Sequence, residues 1–506
     1  MINTIDNWLN RITMYRLVLY YLIFLLGGAV VLSMASILKY DVIALLFSIS
    51  FLLVVCWLVN SIFARTFKVA ANVESVYISA LILALIISPV KSFGDLWFLG
   101  WAAVLAMASK YILAINRKHI FNPVALAVAV TYFTLNQTAS WWVGNTAMLP
   151  FVVIGGLVML RKIGRSDLVF SFLLSTMATS LLVSLVAGSN FFNDLQKIIF
   201  LTPVFFFAFV ILTEPLTTPP TRTLRIWYGV LVGFFFSPQI HFGSFYITPE
   251  LAILFGNVFS YIVSPKSRLV LKLKERIRIA PDIYDFVFAH ARSFAFAPGQ
   301  YMEWTLGHNN PDARGNRRYF TLASAPTEKT LRLGVKFYDQ SSTYKQAMLK
   351  MNVGDEIVAS QLSGDFTLPN NPLQKIVLIA GGVGVTPFRS MIKYLLDTHR
   401  SRPITLFYAN KTVNDILYKD IFDRAQHELG IQTIYSITDS QTVPSSWKGV
   451  TGRITPQLIK SRVPNFRQCI FYISGPRSMV ESFKETLRLM RVPNSHIRTD
   501  FFSGLA

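Results

Sequence analysis

The chain carries two kinds of patterning, and the change falls near Ser264. Before it, apolar residues run on with few interruptions: Leu17–Leu38, Asp41–Ile62, Val76–Val90, Leu96–Ile115, Asn122–Leu135, Trp141–Leu160, Leu168–Ala187, Ile198–Leu212, Arg225–Phe242 and Thr248–Val263. A helix needs about 20 mostly apolar residues to cross a bilayer, so the runs predict about ten spans. Val76–Val90 and Asn122–Leu135 are short. They are either half-spanning or broken helices, of the kind that line a central site, or full spans whose ends escape the pattern.

After Ser264 the period changes. Lys266–Arg278 reads as a basic hinge. Tyr284–Ala289 and Leu331–Tyr338 alternate as strands do, and strand and helix patterns alternate from Lys375 onward. The expectation is a transmembrane helical domain over 1–264, a β-barrel over 265–369 and an α/β domain over 370–506.

Composition sharpens this picture. Of 506 residues, 53% are hydrophobic and only 15% charged, against about 25% in an average soluble protein. Disorder is excluded by the same figures. Cys56 and Cys469 are the only cysteines. A disulfide framework, a four-thiolate zinc site and a cysteine-ligated iron–sulfur cluster are excluded with them.

The net charge of +21 does not imply nucleic acid. Loops after even-numbered runs carry Arg65, Lys68, Arg117, Lys118, Arg161, Lys162, Arg165, Arg222 and Arg225, whereas loops after odd-numbered runs carry only Lys39, Lys91 and Lys197. Such asymmetry is the positive-inside pattern, with both termini cytoplasmic. The first run, preceded by Arg11 and Arg16, is too long and too well followed by others for a cleaved signal peptide.

The candidate chemistry starts with a strand, a glycine turn and a helix. Lys375–Ala380 is a continuous apolar run, as a buried parallel strand requires. Gly381, Gly382 and Gly384 let a backbone approach a pyrophosphate, Thr386 is placed to cap the next helix, and Pro387 suits its first position. A second element, Arg318-Tyr319-Phe320-Thr321, sets a cation, aromatics and a hydroxyl along one strand. The cation can neutralise a diphosphate, an aromatic can cover a flavin ring, and a hydroxyl can bond the ring's polar edge.

With these residues in view, the second half resembles the ferredoxin–NADP⁺ reductase family. Phe296-Ala297-Pro298-Gly299-Gln300-Tyr301 resembles its F-x-P-G-Q-Y segment, Arg318–Thr321 its flavin motif, and Gly364-Asp365-Phe366 its G-x-F. The glycine turn resembles its dinucleotide site, and Ser474-Gly475-Pro476 with Met479 its [CS]-G-P-x-x-M. The resemblance implies FAD in the barrel and NADH or NADPH in a Rossmann-like α/β domain, with Ser474 and Thr321 as candidate catalytic residues beside the hydride path. Ser341-Ser342-Thr343 stands where the family has a diphosphate-binding G-x-[CS]-[ST], without the glycine. Phe501-Phe502 either stacks near the flavin, as aromatic tails do in relatives, or is ordinary core. Lys411 either meets a 2′-phosphate or is a solvated loop charge, so NADH and NADPH stay undecided.

The first half resembles the flavin-carrying membrane subunits of the Na⁺-translocating NADH:quinone reductase and of the related Rnf complex. The stretches are Asn72–Leu83, Ala108–Leu113, Lys118–Ala127 and Leu212–Pro219. The resemblance implies about ten spans and electron transfer coupled to ion movement. The family's S-G-A-T segment for covalent FMN is absent, so any membrane flavin, FMN or riboflavin, is expected to be non-covalent and near Asn122 or Glu214. Ionisable groups at membrane depth, here Lys110 and Glu214, point to function or to snorkelling at an interface. His119 and His241 are the only histidines before Ser264 and sit near run ends, so no haem is expected.

The expected protein is an NAD(P)H oxidoreductase of a bacterial inner membrane, with its reductase domains cytoplasmic. Its electrons pass through FAD to a membrane-held flavin, quinone or other carrier. The alternative is redox-driven Na⁺ or H⁺ translocation.

Overall fold

The computed structural model describes residues 9, 12–67, 73–115, 118–264, 269–289, 295–309, 312 and 315–500. Arg11, Lys68, Ala71-Asn72, Asn116-Arg117, Lys266 and Phe501-Phe502 lie outside these residues. The chain divides into two compact units, Met1–Arg268 and Leu269–Ala506.

The first unit is helical. Its elements are α1 (Met14–Met34), α2 (Val42–Thr66), α3 (Val73–Ile86), α4 (Asp95–Ile112), α5 (Pro123–Leu135), α6 (Leu149–Ile163), α7 (Ser166–Ala187), α8 (Phe191–Leu201), α9 (Val204–Phe206, continued by a π-helical turn over Phe207–Ile211), α10 (Arg222–Phe236) and α11 (Pro249–Val263). Among the described residues, α1, α2 and α7 are long and apolar enough to cross a membrane. The pair α8 and α9, bent by 65° at Thr202-Pro203, makes a fourth if counted as one span.

Each apolar run contains a helix, but three runs are interrupted. The Trp141–Leu160 run opens as a 3-10 turn, Trp142–Gly144, before α6. The Ile198–Leu212 run breaks ahead of Pro203, whose ring cannot continue a helix. In the Arg225–Phe242 run, α10 stops at Phe236, just before Ser237-Pro238, because proline disfavours the helical region in its predecessor. There β3 (His241–Phe242) turns back on β4 (Phe245–Tyr246), as β1 (Ala114–Ile115) does on β2 (Lys118–His119).

The two short runs stay short, at 14 residues for α3 and 13 for α5. At 1.5 Å per residue neither reaches the roughly 30 Å hydrocarbon thickness. Their ends are satisfied inside the protein, as backbone at such depth demands. The indole Nε1–H of Trp142 donates to the carbonyls of Ala84 and Ile87 at the end of α3, and the Trp141 N–H donates to Ile86 at 2.8 Å. At the start of α5, Asn122 Oδ1 accepts from the N–H groups of Val124 and Ala125.

The second unit holds two six-stranded sheets. The first is antiparallel, in the order β8-β7-β10-β5-β6-β9, from β5 (Leu269–Ala280), β6 (Ile283–Ala289), β7 (Tyr301–Thr305), β8 (Arg317–Thr321), β9 (Thr330–Lys336) and β10 (Glu356–Ser363), with α12 (Thr343–Leu349) packed against it. The supposed hinge is therefore mostly β5. Leu269, Leu271 and Leu273 are buried while Val270, Lys272 and Lys274 are exposed, a period of two that the charges mask in the sequence.

The second sheet is parallel, in the order β14-β13-β12-β11-β15-β16. It comprises β11 (Ile376–Gly381), β12 (Ile404–Asn410), β13 (Gln432–Ile437), β14 (Val450–Thr451), β15 (Ile470–Ser474) and β16 (Ile497–Asp500). Helices α13 (Thr386–Asp397), α14 (Lys419–Leu429), α15 (Pro456–Arg462) and α16 (Arg477–Leu489) connect the strands. All six residues of β11 are buried, as a strand covered on both faces must be.

Helix contact in the first unit depends on small residues. A Cβ on Gly233 of α10 would stand 2.5 Å from the Phe172 carbonyl oxygen of α7. Gly233→Leu is therefore expected to destabilise the chain by about 1–3 kcal/mol through overpacking, read as a lowered unfolding midpoint in detergent. An unchanged midpoint would contradict the packing described.

Candidate functional site

Strand order reverses between β11 and β15, since β12 to β14 lie on one side of β11 and β15 and β16 on the other. In open parallel sheets the carboxyl ends of the strands at such a switch point form a crevice suited to ligands. The turn 381–387 and the Ser474-Gly475-Pro476 segment both sit there.

The glycines of the turn serve two purposes. A Cβ on Gly384 would lie 2.5 Å from Gly475 Cα, and one on Gly381 would strike Met479. These two positions admit the neighbouring chain rather than a ligand. Gly382, with φ +52°, has open space where its Cβ would be, and it is the position where a ligand's phosphate can approach. The helix also starts one residue earlier than the sequence suggests. Thr386 is its first residue, Pro387 its second, and Val385 is the N-cap, with no side-chain bond. No side chain caps this first turn, the Thr386 N–H donates to Val383 O of the preceding 3-10 turn, and Pro387 has no N–H to satisfy.

Next to this turn, Asn410 ends β12. It is 3% exposed, and neither end of its amide makes a hydrogen bond. Its polar neighbour, the Tyr408 hydroxyl, already donates to Gly382 O at 3.2 Å and accepts from Leu417 N at 3.2 Å. A buried amide left without partners normally costs about 1–3 kcal/mol. A ligand at this end of the sheet would relieve that cost.

On the antiparallel sheet, β7 and β8 pair so that Tyr301 faces Thr321, Glu303 faces Tyr319 and Trp304 faces Arg318. Tyr301 and Tyr319 meet edge to face at 5.8 Å, and the Tyr319 hydroxyl donates to Glu303 at 2.9 Å. Tyr301, Tyr319 and Thr321 thus share a face that can take a planar ring. Gly299, at φ +94°, lies where a Cβ would strike Phe366 O and Met391. Beside Pro298, Gln300 Oε1 accepts from Ala297 N at 2.8 Å, and its Nε2 donates to Gly364 O at 3.3 Å, so the 296–301 segment and the G-x-F turn are stitched together.

Arg318 and Phe320 fall on the other face. Arg318 is buried, donates to Asp312 at 3.4 Å and lies over the Tyr344 ring at 5.0 Å. Asp312 Oδ2 also accepts from Thr343 N, so Arg318 and the 341–343 segment are brought together. Ser342 caps α12 through Lys345 N at 3.3 Å, as its position suggests, while Ser341 turns back on Tyr338.

Ser474 and Thr321 are joined by a residue that sequence reasoning does not find. Thr321 Oγ1 donates to Asp500 Oδ2 at 3.2 Å, and Asp500 is the strand partner of Ser474 on β16. Burial pushes the Asp500 carboxyl up to about 7, with the Thr321 hydrogen bond opposing. No local motif marks Asp500; only its place at the end of the last strand could have drawn attention to it.

The two sheets are clasped by a buried charged network. Arg389 of α13 donates to both oxygens of Glu328, at 2.6 and 2.9 Å, and to Ala323 O at 2.7 Å. It lies over the Tyr418 ring, whose hydroxyl donates to Asp285 of β6 at 2.5 Å, and Arg332 of β9 meets Asp285 at 3.4 Å. Burial raises the Asp285 carboxyl despite these partners. For Glu328 burial is outweighed by the Arg389 hydrogen bond and charge, and its carboxyl is held low.

In the helical unit, Glu214 draws several groups together. His119 Nε2 lies 3.3 Å from its Oε1, Asn122 Nδ2 donates to its Oε2 at 2.8 Å, and Thr217 donates at 3.2 Å. Asn122 N donates to Asn257, which donates to the Tyr228 hydroxyl. Lys110 Nζ is bonded to Ser75 O and Oγ, at 2.9 and 3.1 Å, rather than extended to an interface. A cavity of about 60 Å³ lies beside Glu214, Asn122, Ser75 and Ser79. It has room for a few water molecules.

Comparison with known proteins follows the same division. Residues 142–266 match the NQR2, RnfD, RnfE family, a match that takes in Leu212–Pro219 but begins after the other three resembling stretches. Residues 378–485 match the oxidoreductase NAD-binding domain. The chain is 25% identical over 216 residues to the glycine betaine monooxygenase reductase subunit of Chromohalobacter salexigens, covering 42% of this chain and 57% of that protein. It is 29% identical over 227 residues to NADH-cytochrome b5 reductase 1 of Emericella nidulans, covering 43% and 71%. Among solved structures, the Amycolatopsis cytochrome P450 reductase GcoB aligns at 24% identity with a TM-score of 0.42, over 47% of this chain and 71% of that one. The chain thus spans little more than half the length of some of its curated relatives.

The position of Asp500 generates a pH prediction. A carboxyl raised when folded contributes stability that is complete below its unfolded value near 4 and is lost as pH rises through about 7. Asp500→Asn removes that dependence. Between about pH 4 and pH 7 the wild-type chain is expected to lose stability relative to the variant, by at most about 4 kcal/mol, with no further relative loss above about pH 8. Parallel pH profiles of the unfolding midpoint would refute the assignment.

Proposed function

We propose that the chain is a membrane-embedded NAD(P)H oxidoreductase that holds FAD on the β7–β8 face and a nicotinamide dinucleotide at the β11–β15 switch point. The observation that carries this reading is the partnerless Asn410 amide beside the open Gly382 turn, on the same side of the sheet as the Thr321–Asp500–Ser474 junction. The likeness of residues 378–485 to an oxidoreductase NAD-binding domain supports it.

The residues present fit both groups. The open backbone at Gly382 would hold the dinucleotide's phosphates, and Asn410 would offer it a donor and an acceptor. Tyr301 and Tyr319 would flank the flavin ring. Arg318, tied to the 341–343 segment, would supply positive charge near the flavin's phosphates. Thr321 and Ser474 would orient the reacting rings, with Asp500 fixing the Thr321 hydroxyl. When bound, these cofactors supply hydride transfer and stepwise electron release.

The ten helical runs between residues 14 and 263 are proposed to lie in a bacterial inner membrane. Cytoplasmic termini and reductase sheets follow from the arginine and lysine asymmetry of the loops. The electrons would leave for a quinone or another carrier.

The cavity beside Glu214 favours a second reading. A carboxylate at membrane depth, bonded to His119 and Asn122 beside a small, mostly apolar cavity, suits a proton or a small cation. Redox-driven H⁺ or Na⁺ movement would use Glu214 and leave the reductase half unchanged.

Protein purified in detergent is expected to retain flavin and to consume NADH or NADPH; colourless, inactive material after FAD is supplied would end the primary reading. Asn410→Ala is expected to raise the dinucleotide KM about tenfold, for about 1.4 kcal/mol of lost hydrogen bonding, with flavin content unchanged. Glu214→Gln is expected to leave flavin reduction by NAD(P)H intact while abolishing any NAD(P)H-dependent ion uptake into proteoliposomes. Uptake that survives the substitution would remove Glu214 from the path.

A further inference from the structure

A carboxylate at membrane depth can serve a proton or a metal cation, and the atoms around Glu214 decide between them. A hard cation needs several oxygen lone pairs turned inward, which transporters draw from carboxylates, unwound carbonyls and helix C-termini. The groups facing Glu214 are of the opposite kind. Asn122 Nδ2 donates to Oε2 at 2.8 Å, and the Thr217 hydroxyl donates to the same oxygen at 3.2 Å. Asn122 cannot turn its amide to present oxygen instead, because its Oδ1 already accepts from Val124 N and Ala125 N at 3.1 and 3.0 Å.

Other polar atoms of the cavity wall are committed as well. Lys110 Nζ donates to Ser75 O and Oγ, the Ser79 hydroxyl donates to Ser75 O at 3.0 Å, and the Thr213 hydroxyl donates to Phe209 O at 2.7 Å. Val18, Ile78, Ile82 and Val210 add apolar wall. The short helices α3 and α5 bring their starts to this cavity, at Ser75 and Asn122, and not their carbonyl ends. Charged or titratable groups on the packed elements are Tyr15 of α1, Lys110 of α4, Arg165 ahead of α7 and Tyr228 of α10. The cations among them oppose an entering proton and an entering metal ion alike, so it is coordination that chooses.

His119 supplies what a proton needs. Its Nε2 lies 3.3 Å from Glu214 Oε1, and the two atoms hydrogen-bond with one proton between them, on nitrogen when Glu214 is ionised and on oxygen when it is not. We propose that the ion handled at Glu214 is a proton exchanged with His119, and that the site does not take Na⁺. The step breaks the Nε2–H bond of an imidazolium and forms an Oε1–H bond. It leaves a neutral imidazole and a neutral carboxyl, and no electron moves. The assignment rests on the ion-movement reading and names its ion.

The test uses the full chain in proteoliposomes containing a quinone, started with external NADH or NADPH. Internal acidification, reported by an entrapped pH dye, and uptake of radioactive sodium are each expressed per NAD(P)H oxidised. Acidification is expected to be undiminished when choline replaces sodium, with sodium uptake at background. His119→Gln, whose amide can still donate to Glu214 but cannot release a proton, is expected to lower acidification roughly tenfold or more. In detergent, the unfolding midpoint is expected to agree within about 1 °C between sodium and choline chloride of equal strength, since an ion without a site adds no stability. Sodium uptake that Glu214→Gln abolishes, a midpoint raised by sodium in the wild type but not in Glu214→Gln, or full acidification in His119→Gln would each overturn the proton assignment while leaving ion movement standing. NAD(P)H oxidation without movement of either ion would remove the ion-movement reading and this assignment with it.

Discussion

Two stretches of backbone at the carboxyl ends of β11 and β15 pass so closely that neither tolerates a side chain. Gly384 faces Gly475, and Gly381 faces Met479 and Pro476. Everything proposed for the reductase half depends on this approach. It fixes where the strand order reverses, leaves Gly382 facing open space, and sets Ser474 next to Asp500 at the ends of neighbouring strands. A bulkier turn would push α13 outward and separate the uncapped helix start from the residues around Thr321.

The helical half obeys a different constraint. Helices too short for the hydrocarbon layer leave carbonyl and N–H groups that lipid cannot satisfy. Trp141 and Trp142 answer this for α3, and Asn122 answers it for α5. Asn122 also bonds Glu214, so the same side chain that closes a helix end holds the carboxylate in place. Structural need and candidate chemistry meet at one residue.

Short-range pattern makes much of this readable in the sequence. The apolar runs locate the helices, and the β11–turn–α13 unit is visible because its signals lie within about twenty residues. The capping position differs by one because a threonine before a proline is a common helix start, and here the glycine turn runs straight into the helix through Val385. The basic stretch before residue 278 reads as a hinge because lysines and arginines occupy the exposed alternate positions of a real strand. What cannot be read is long-range. Asp500 meets Thr321 across 179 positions, Arg389 meets Glu328 across 61, and Glu214 meets His119 across 95. No local period encodes such pairings; they exist only once the sheets and helices are packed.

The Arg389 clasp has a consequence for turnover. A bidentate guanidinium–carboxylate pair shielded from water, joined by Tyr418 and Asp285, is costly to part, because separating it strands a charge in a poor solvent. The clasp therefore resists hinging of the two sheets about it. Under the proposed function, exchange of a spent dinucleotide for a fresh one would then proceed by small rearrangements at the crevice mouth, with the spacing of the reacting rings inherited from the frame.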